Sequence, residues 1–300
     1  MNAAVTRDDL LSQLTEGIRR LTTSEAWLEW MRTQSRFYKY SFGNTLLIAW
    51  QRPDASLVAG YRRWLELGRQ VRKGETGIRI LAPCRYRSAR HGDSDDDGAD
   101  LVETVRSFRV AVVFALEQTD GEPLREVPIA RVSGDDPAGC FDALSDHARE
   151  LGYQVALVSF GSPNKCGETN FATRTVTIRH DLPPAHRVKT MFHELAHIAL
   201  EHDTCAFGAR SVAELEAESV AWICCDAVGI VSDGYSFAYV ASWAGDGDAA
   251  IAGIRDSAQR IQRVSKRLLE RLTGGDGGAP HSAARATADT GSSGCPELSG

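Results

Sequence analysis

The residues with the most chemistry in this chain are His193, Glu194 and His197, in the run Met191-Phe192-His193-Glu194-Leu195-Ala196-His197-Ile198. Positions i and i+4 of a helix lie on one face, so the two imidazoles can reach one metal ion. Neutral imidazole is a good zinc ligand. Glu194 follows the first His and would stand beside the ion, not on it. There it can take a proton from a metal-bound water, whose pKa the ion lowers to roughly 7. Met191, Phe192, Leu195, Ala196, Ile198, Ala199 and Leu200 make the segment apolar, and no Pro or Gly interrupts it between Pro184 and Gly208. Ionisable side chains in such a helix are costly unless they are used. The five-residue pattern also arises by chance in structural helices, so a third ligand has to be found.

A catalytic zinc site takes three protein ligands and leaves one position open. Downstream, residues 212–225 read as a second amphipathic helix, on which Glu214 and Glu218 share a face and Ala217 and Ala221 allow close packing. This arrangement resembles the gluzincins. The resemblance implies that Glu214 is the third ligand and that Glu218 holds the ring of His193 or His197 through its other nitrogen. Glu218 as the ligand stays open as an alternative. Glu216 is expected to point elsewhere, on a solvated acidic face. A metzincin site is excluded, because Leu200 and Asp203 stand where that motif needs Gly and His. His202 is expected at the end of the metal helix, where a hydrogen-bond donor suits the dipole.

Several elements must position these groups. Apolar spacing predicts helices over residues 8–21, 25–38 and 45–51, the last after a break at Gly43-Asn44, and a further helix over 58–68. A basic turn over 69–77 leads to a strand over 78–86, with Pro83 inside it and therefore at an edge. An acidic, Gly-rich loop over 91–100 precedes a returning strand over 102–116, with Phe108, Val110, Val112 and Phe114 on one face. Residues 121–137 read as a polar linker. A helix over 138–151, a strand over 154–160 and a hairpin of strands 168–171 and 175–179 come before the metal helix at 181–201. The Glu-bearing helix spans 212–228, and two more are predicted over 235–243 and 249–272. Gly, Ser, Ala and Thr dominate residues 273–300, which read as a disordered tail.

Charge is split between the halves. Residues 1–90 hold 16 Lys and Arg against 8 Asp and Glu, a local +8, so residues 91–300 carry −14 within the total of −6. Such a split suggests an anionic partner for the first half. Arg and Lys neutralise phosphates, while exposed aromatics offer stacking platforms to unpaired bases. Tyr40, Asn44, Arg62, Arg63, Trp64, Arg69, Arg72 and Lys73 are the candidate DNA contacts, although the aromatics serve equally well as core residues. No apolar run is long enough for a membrane span, and the N-terminus has no signal-peptide core, which points to the cytoplasm. The seven cysteines form no C-x-x-C pair, which argues against a disulfide framework or a cysteine metal site.

Three runs carry a further resemblance: Tyr40-Ser41-Phe42-Gly43-Asn44-Thr45-Leu46-Leu47, the stretch from Tyr61 to Gly77 ending in Val71-Arg72-Lys73-Gly74-Glu75-Thr76-Gly77, and Val113-Phe114-Ala115-Leu116-Glu117-Gln118. Residues 8–120 resemble the N-terminal domain of ArdC-type antirestriction proteins of conjugative plasmids. That resemblance implies single-stranded DNA binding here and a zinc metallopeptidase-like second domain, which also resembles the ImmA/IrrE metallopeptidases. The chain departs from the family at Ala115-Leu116 and in its acidic insert at residues 93–97.

The expectation is an α+β chain: a mixed α/β single-stranded DNA-binding domain over 1–120, a linker, and a gluzincin-like metallopeptidase domain over 138–272, built of a small sheet and an HExxH helix bundle. Zn2+ is held by His193, His197 and Glu214, with Glu194 as the catalytic base and a DNA-associated protein as substrate. The alternatives are a regulatory metallopeptidase that cleaves a repressor, or a DNA-binding protein whose metal site is idle.

Overall fold

A computed structural model describes residues 5–89, 101–124, 139–162, 164–204, 210–230 and 248–273. The expected acidic loop, most of the linker, the helix over 235–243 and nearly all of the tail lie outside these residues.

Three helices open the chain: α1 (Arg7–Arg20), α2 (Ser24–Arg36) and α3 (Phe42–Gln51). Each starts where a hydroxyl caps it: Thr6, Thr23 and Ser41 accept from the backbone N–H three residues on. Ser41 corrects one expectation, since Gly43-Asn44 is no break but the first turn of α3. Strand β1 (Val58–Ala59) and the short helix α4 (Tyr61–Glu66) replace the single helix expected over 58–68.

Strand β2 (Arg69–Val71) then leads to the long strands β3 (Ile78–Ala89) and β4 (Leu101–Ala115). β3 and β4 pair antiparallel, and β1 adds to the far side of β4. Strand β5 (Thr119–Gly121) pairs with β2 and closes this part just before the predicted linker. The free side of β3 is covered by α3 through side-chain amides. Asn44 exchanges two hydrogen bonds of 2.9 Å with the backbone of Leu81. Gln51 does the same with Arg79, at 2.8 and 2.9 Å. Two amides seven residues apart thus stand in for a neighbouring strand, which an exposed edge would otherwise invite.

The second part begins with α5 (Cys140–Glu150) and strand β6 (Gln154–Val158). Strands β7 (Gly167–Asn170) and β8 (Thr175–Arg179) form the predicted hairpin, with β8 central, parallel to β6 and antiparallel to β7. Then come α6 (Pro184–Ala199), α7 (Arg210–Ala227) and α8 (Asp248–Leu272). α6 starts at Pro184, whose missing N–H costs nothing in a first turn. Val188, Met191, Phe192, Leu195 and Ala196 form its fully buried stripe. That stripe packs on Ala217, Val220, Ala221, Cys224 and Cys225 of α7, all at 0% exposure.

The larger apolar core crosses the predicted domain boundary. Trp27, Trp30, Met31, Phe42 and Leu46 belong to the same cluster as α6, α7 and α8. The Trp27 indole donates to Ser219 Oγ (3.1 Å), Ser35 to Asp226, and Gln262 to the backbone oxygen of Tyr40 (3.0 Å). A smaller core under the first sheet holds Phe37, Tyr40, Ile48, Val58, Ile78, Ile80 and Val113. Among the described residues, no helix is long and apolar enough to cross a membrane.

Candidate metal centre

The buried stripe of α6 fixes what its neighbouring stripe presents. Lys189, His193 and His197 are successive i+4 positions, turned from the core toward α7. On α7, Glu214 and Glu218 are likewise four apart, and small residues at Ala217 and Ala221 let the helices approach. The two Nε2 atoms of His193 and His197 lie 3.1 Å apart. Glu214 Oε2 lies 3.5 Å from the first and 3.8 Å from the second. Ligand atoms about 2.0–2.1 Å from a tetrahedral ion stand roughly 3.3–3.4 Å from one another. The triangle therefore has the size that one divalent cation requires. Both imidazoles are mostly buried, while Glu214 is half exposed and leaves one side open.

The surroundings set the ring tautomers. His193 Nδ1 lies 3.1 Å from Glu218 Oε2. A carboxylate only accepts, so Nδ1 carries a proton, and it is in the neutral ring that the Nε2 lone pair faces Glu214 and His197. Glu218 thus takes the ring-holding place, and Lys189 Nζ lies 3.4 Å from its other oxygen. Burial pushes the Glu218 carboxyl up, but His193 and Lys189 outweigh it and hold it below the usual range. Burial pulls the His193 ring down, yet its bonds to Glu214 and Glu218 raise it to about 9.

Glu194 lies against the small sheet and is buried. Thr169 Oγ1 of β7 donates to its Oε2 at 2.7 Å. Burial raises its carboxyl above the ordinary value, against the pull of His193 and Thr169. Gly167 makes the room: a Cβ there would stand 2.7 Å from Glu194 Oε1 and 2.6 Å from Thr190 Cγ2.

Two expectations are corrected. Glu216 is no solvated residue; it is 1% exposed, and His202 Nε2 lies 3.0 Å from its Oε2. His202 is no simple helix end either, for its Nδ1 lies 2.9 Å from His197 Nδ1. Spacing hid this contact, because i+5 leaves the helical face. Glu201, with φ 58°, turns the chain left-handed directly after α6 and brings His202 back. Gly167 and Thr169 also escaped the sequence reading; a lone Gly in a strand was the only signal.

The candidate DNA residues scatter. Trp64 is fully buried and its indole donates to the Phe114 carbonyl (2.9 Å). Tyr40 is buried in the smaller core, where burial pushes its hydroxyl to about 12. Asn44 is spent on Leu81. Arg69 binds the backbone of Thr119 and Gly121 and stitches β2 to β5. Arg72 pairs with Glu75 and Asp120, and Arg63 with Glu66. Arg62 and Lys73 are exposed. The strand face predicted to carry Phe108, Val110, Val112 and Phe114 points outward, while Ala111, Val113 and Ala115 face inward. Phe108 and Val112 are 50% and 49% exposed. Tyr61, 47% exposed, meets Phe114 edge-on at 6.4 Å. Arg79, paired with Val112, faces the same way.

Residues 4–114 match the model of the N-terminal domain of anti-restriction factor ArdC. Over those residues the chain resembles the ArdC N-terminal domain. Two solved structures of the antirestriction ArdC protein from the R388 plasmid resemble much of the chain. The Mn(II)-bound structure is 18% identical, with TM-score 0.52, covering 87% of this chain and 97% of that one. The metal-free structure is 21% identical, with TM-score 0.48, covering 77% and 85%. No curated protein matches in sequence. The likeness to the Mn(II)-bound structure supports the α+β fold, and the His–Glu triangle lies outside the segment that the family model covers.

Proposed function

We propose that the chain is an antirestriction-type protein that binds single-stranded DNA and bears a zinc-dependent, peptidase-like centre. The observation that carries the second half is the triangle of His193, His197 and Glu214 beside a buried Glu194. Two imidazoles and a carboxylate suit zinc. Bound there, the ion would polarise a peptide carbonyl and lower the pKa of a water. Glu194 receives the proton: Thr169 aims its carboxylate, and burial raises its proton affinity above the ordinary carboxylate value. Strand β7 receives the peptide. Arg179 N–H donates to Cys166 O, so pairs 168/177 and 170/175 are the hydrogen-bonded ones, and Gly167 and Thr169 turn their backbone groups away from β8. An extended substrate can add there as a further strand.

DNA binding falls to the outward face of β3 and β4. Phe108, Phe114 and Tyr61 offer ring faces to unpaired bases, with Arg79, Arg62 and Lys73 for phosphates. The description of one solved relative, an antirestriction protein with Mn(II) bound, supports an antirestriction role and a divalent cation. On this reading the protein works in the cytoplasm on incoming DNA, as two functional units over 1–120 and 138–272, with a DNA-associated protein as substrate.

A second reading keeps the DNA face and leaves the metal centre idle; the large exposed apolar face favours it, since coating DNA needs no hydrolysis. Glu194→Gln separates the two. Under the first, the variant keeps its metal and loses cleavage of a quenched-peptide library. Under the second, wild type cleaves nothing and the variant still protects DNA from restriction.

A further inference from the structure

The two histidines of the centre are held by different devices. His193 meets a carboxylate directly, whereas His197 meets a second histidine that in turn meets one. The side chains of His202 and Glu216 are 3% and 2% exposed, so this chain of contacts is dry. Glu216 is fully engaged: Ser257 donates to Oε1, and an Arg260 nitrogen lies 3.4 Å from Oε2, both from α8. Arg260 also donates to Leu200 O at 2.7 Å, which pins the end of α6 where the chain turns.

Hydrogen positions follow from the acceptors. The Glu216 carboxylate accepts, so His202 carries its proton on Nε2. A neutral His202 then offers a lone pair at Nδ1. His197 must donate to it from its own Nδ1, which leaves the His197 Nε2 lone pair facing His193 and Glu214. With the opposite tautomer at His202, His197 would carry a proton on Nε2, and that proton would occupy the place of the ion.

We propose that His202 and Glu216 are positioning residues that lock His197 in its metal-competent tautomer and tie the centre to α8. The proposal rests on the metal-centre reading above. Glu201 serves it by its left-handed backbone, which carries His202 back to the Nδ1 edge of the His197 ring. Partners of ligating histidines are worth about 10–100-fold in metal affinity.

The test uses the full chain as wild type, His202→Phe, His202→Gln and Glu216→Gln. Zinc affinity is measured by chelator competition, folding by circular dichroism, and the His197 tautomer by two-bond proton–nitrogen correlation spectra. Phe fills the site without polar groups, and we expect zinc affinity to fall about 10–100-fold, with loss of the Nδ1–H form of His197. Gln can accept from His197 and donate to Glu216 and should restore most of the affinity. Equal loss in the Phe and Gln variants would overturn the proposal, because packing alone would then explain the effect. An unchanged affinity and tautomer in His202→Phe would overturn it as well. Should that variant fail to fold, Glu216→Gln takes its place: weaker zinc binding supports the relay, and wild-type affinity refutes it. If wild type binds no zinc, the metal-centre reading falls, and the tautomer in metal-free wild type and variants still decides what His202 does.

Discussion

The metal centre and the outer sheet face spend their polar groups in opposite ways. Around α6 and α7, His193, His197, Glu218, His202 and Glu216 each meet a named partner in a mostly dry space. On β3 and β4, Phe108 and Val112 stand half exposed, and Arg62 and Lys73 are exposed as well. A site that does chemistry on one atom needs rigid, satisfied geometry. A surface that tracks a flexible strand needs ring faces and charges left free for a partner. One region is built to converge, the other to remain open.

If that contrast is right, the largest effect belongs to Glu194. Glu194→Gln should lower peptide hydrolysis by about 10²–10⁴-fold, with metal content and DNA affinity unchanged; a loss of metal would instead make Glu194 structural. Next comes pH. The metal-free His193 ring titrates near 9, above its ordinary 6.5, so its proton must leave when a cation enters. Apparent zinc affinity should therefore rise up to about tenfold per pH unit toward pH 9 and level off above it. In the metal-free protein the same shift stabilises the fold below about pH 6.5, and that contribution disappears as pH rises through about 9. Chelator competition and thermal melts across pH check both signs.

A third prediction sharpens the DNA side. Phe108→Ala should cost about 1–3 kcal/mol of single-stranded DNA affinity and leave metal content untouched. Asn44→Ala should act otherwise, through stability. It strips the Leu81 backbone of its partners and should cost about 1–3 kcal/mol in denaturant unfolding before any specific effect on DNA. The smallest effect is expected at Lys73. Lys73→Ala should reduce the salt slope of DNA binding by about 0.7, read from affinities at several ionic strengths.

How much of this was legible follows the same divide. That His193 pairs with His197, and Glu214 with Glu218, was legible because helical spacing dictates which side chains share a face; the division of roles between the two glutamates came from the resemblance. The order of elements from α5 to α7 was legible for the same reason, since alternation and helical period differ plainly there. His202 was not, because its approach depends on one left-handed residue, Glu201, and no period encodes that. Glu216 was misread because the burial of its face depends on α8, forty residues away. In the first half, residue type misled. Trp64, Tyr40 and Asn44 have the chemistry of DNA contacts, but the core and the covered edge of β3 consume them. The face of Phe108, Val110, Val112 and Phe114 was visible as a face, yet alternation alone does not say which side meets solvent. Ser41 capping α3 likewise overrode the break that Gly43 suggested.

The account stands or falls on a separable metal centre at His193, His197 and Glu214. The most direct test is metal content by elemental analysis on wild type and Glu214→Ala, with single-stranded DNA affinity measured on the same samples. About one zinc per chain, as one such site requires, lost in the variant while DNA affinity stays, is the predicted result. Wild type without metal, or a variant that keeps its zinc, would contradict the account.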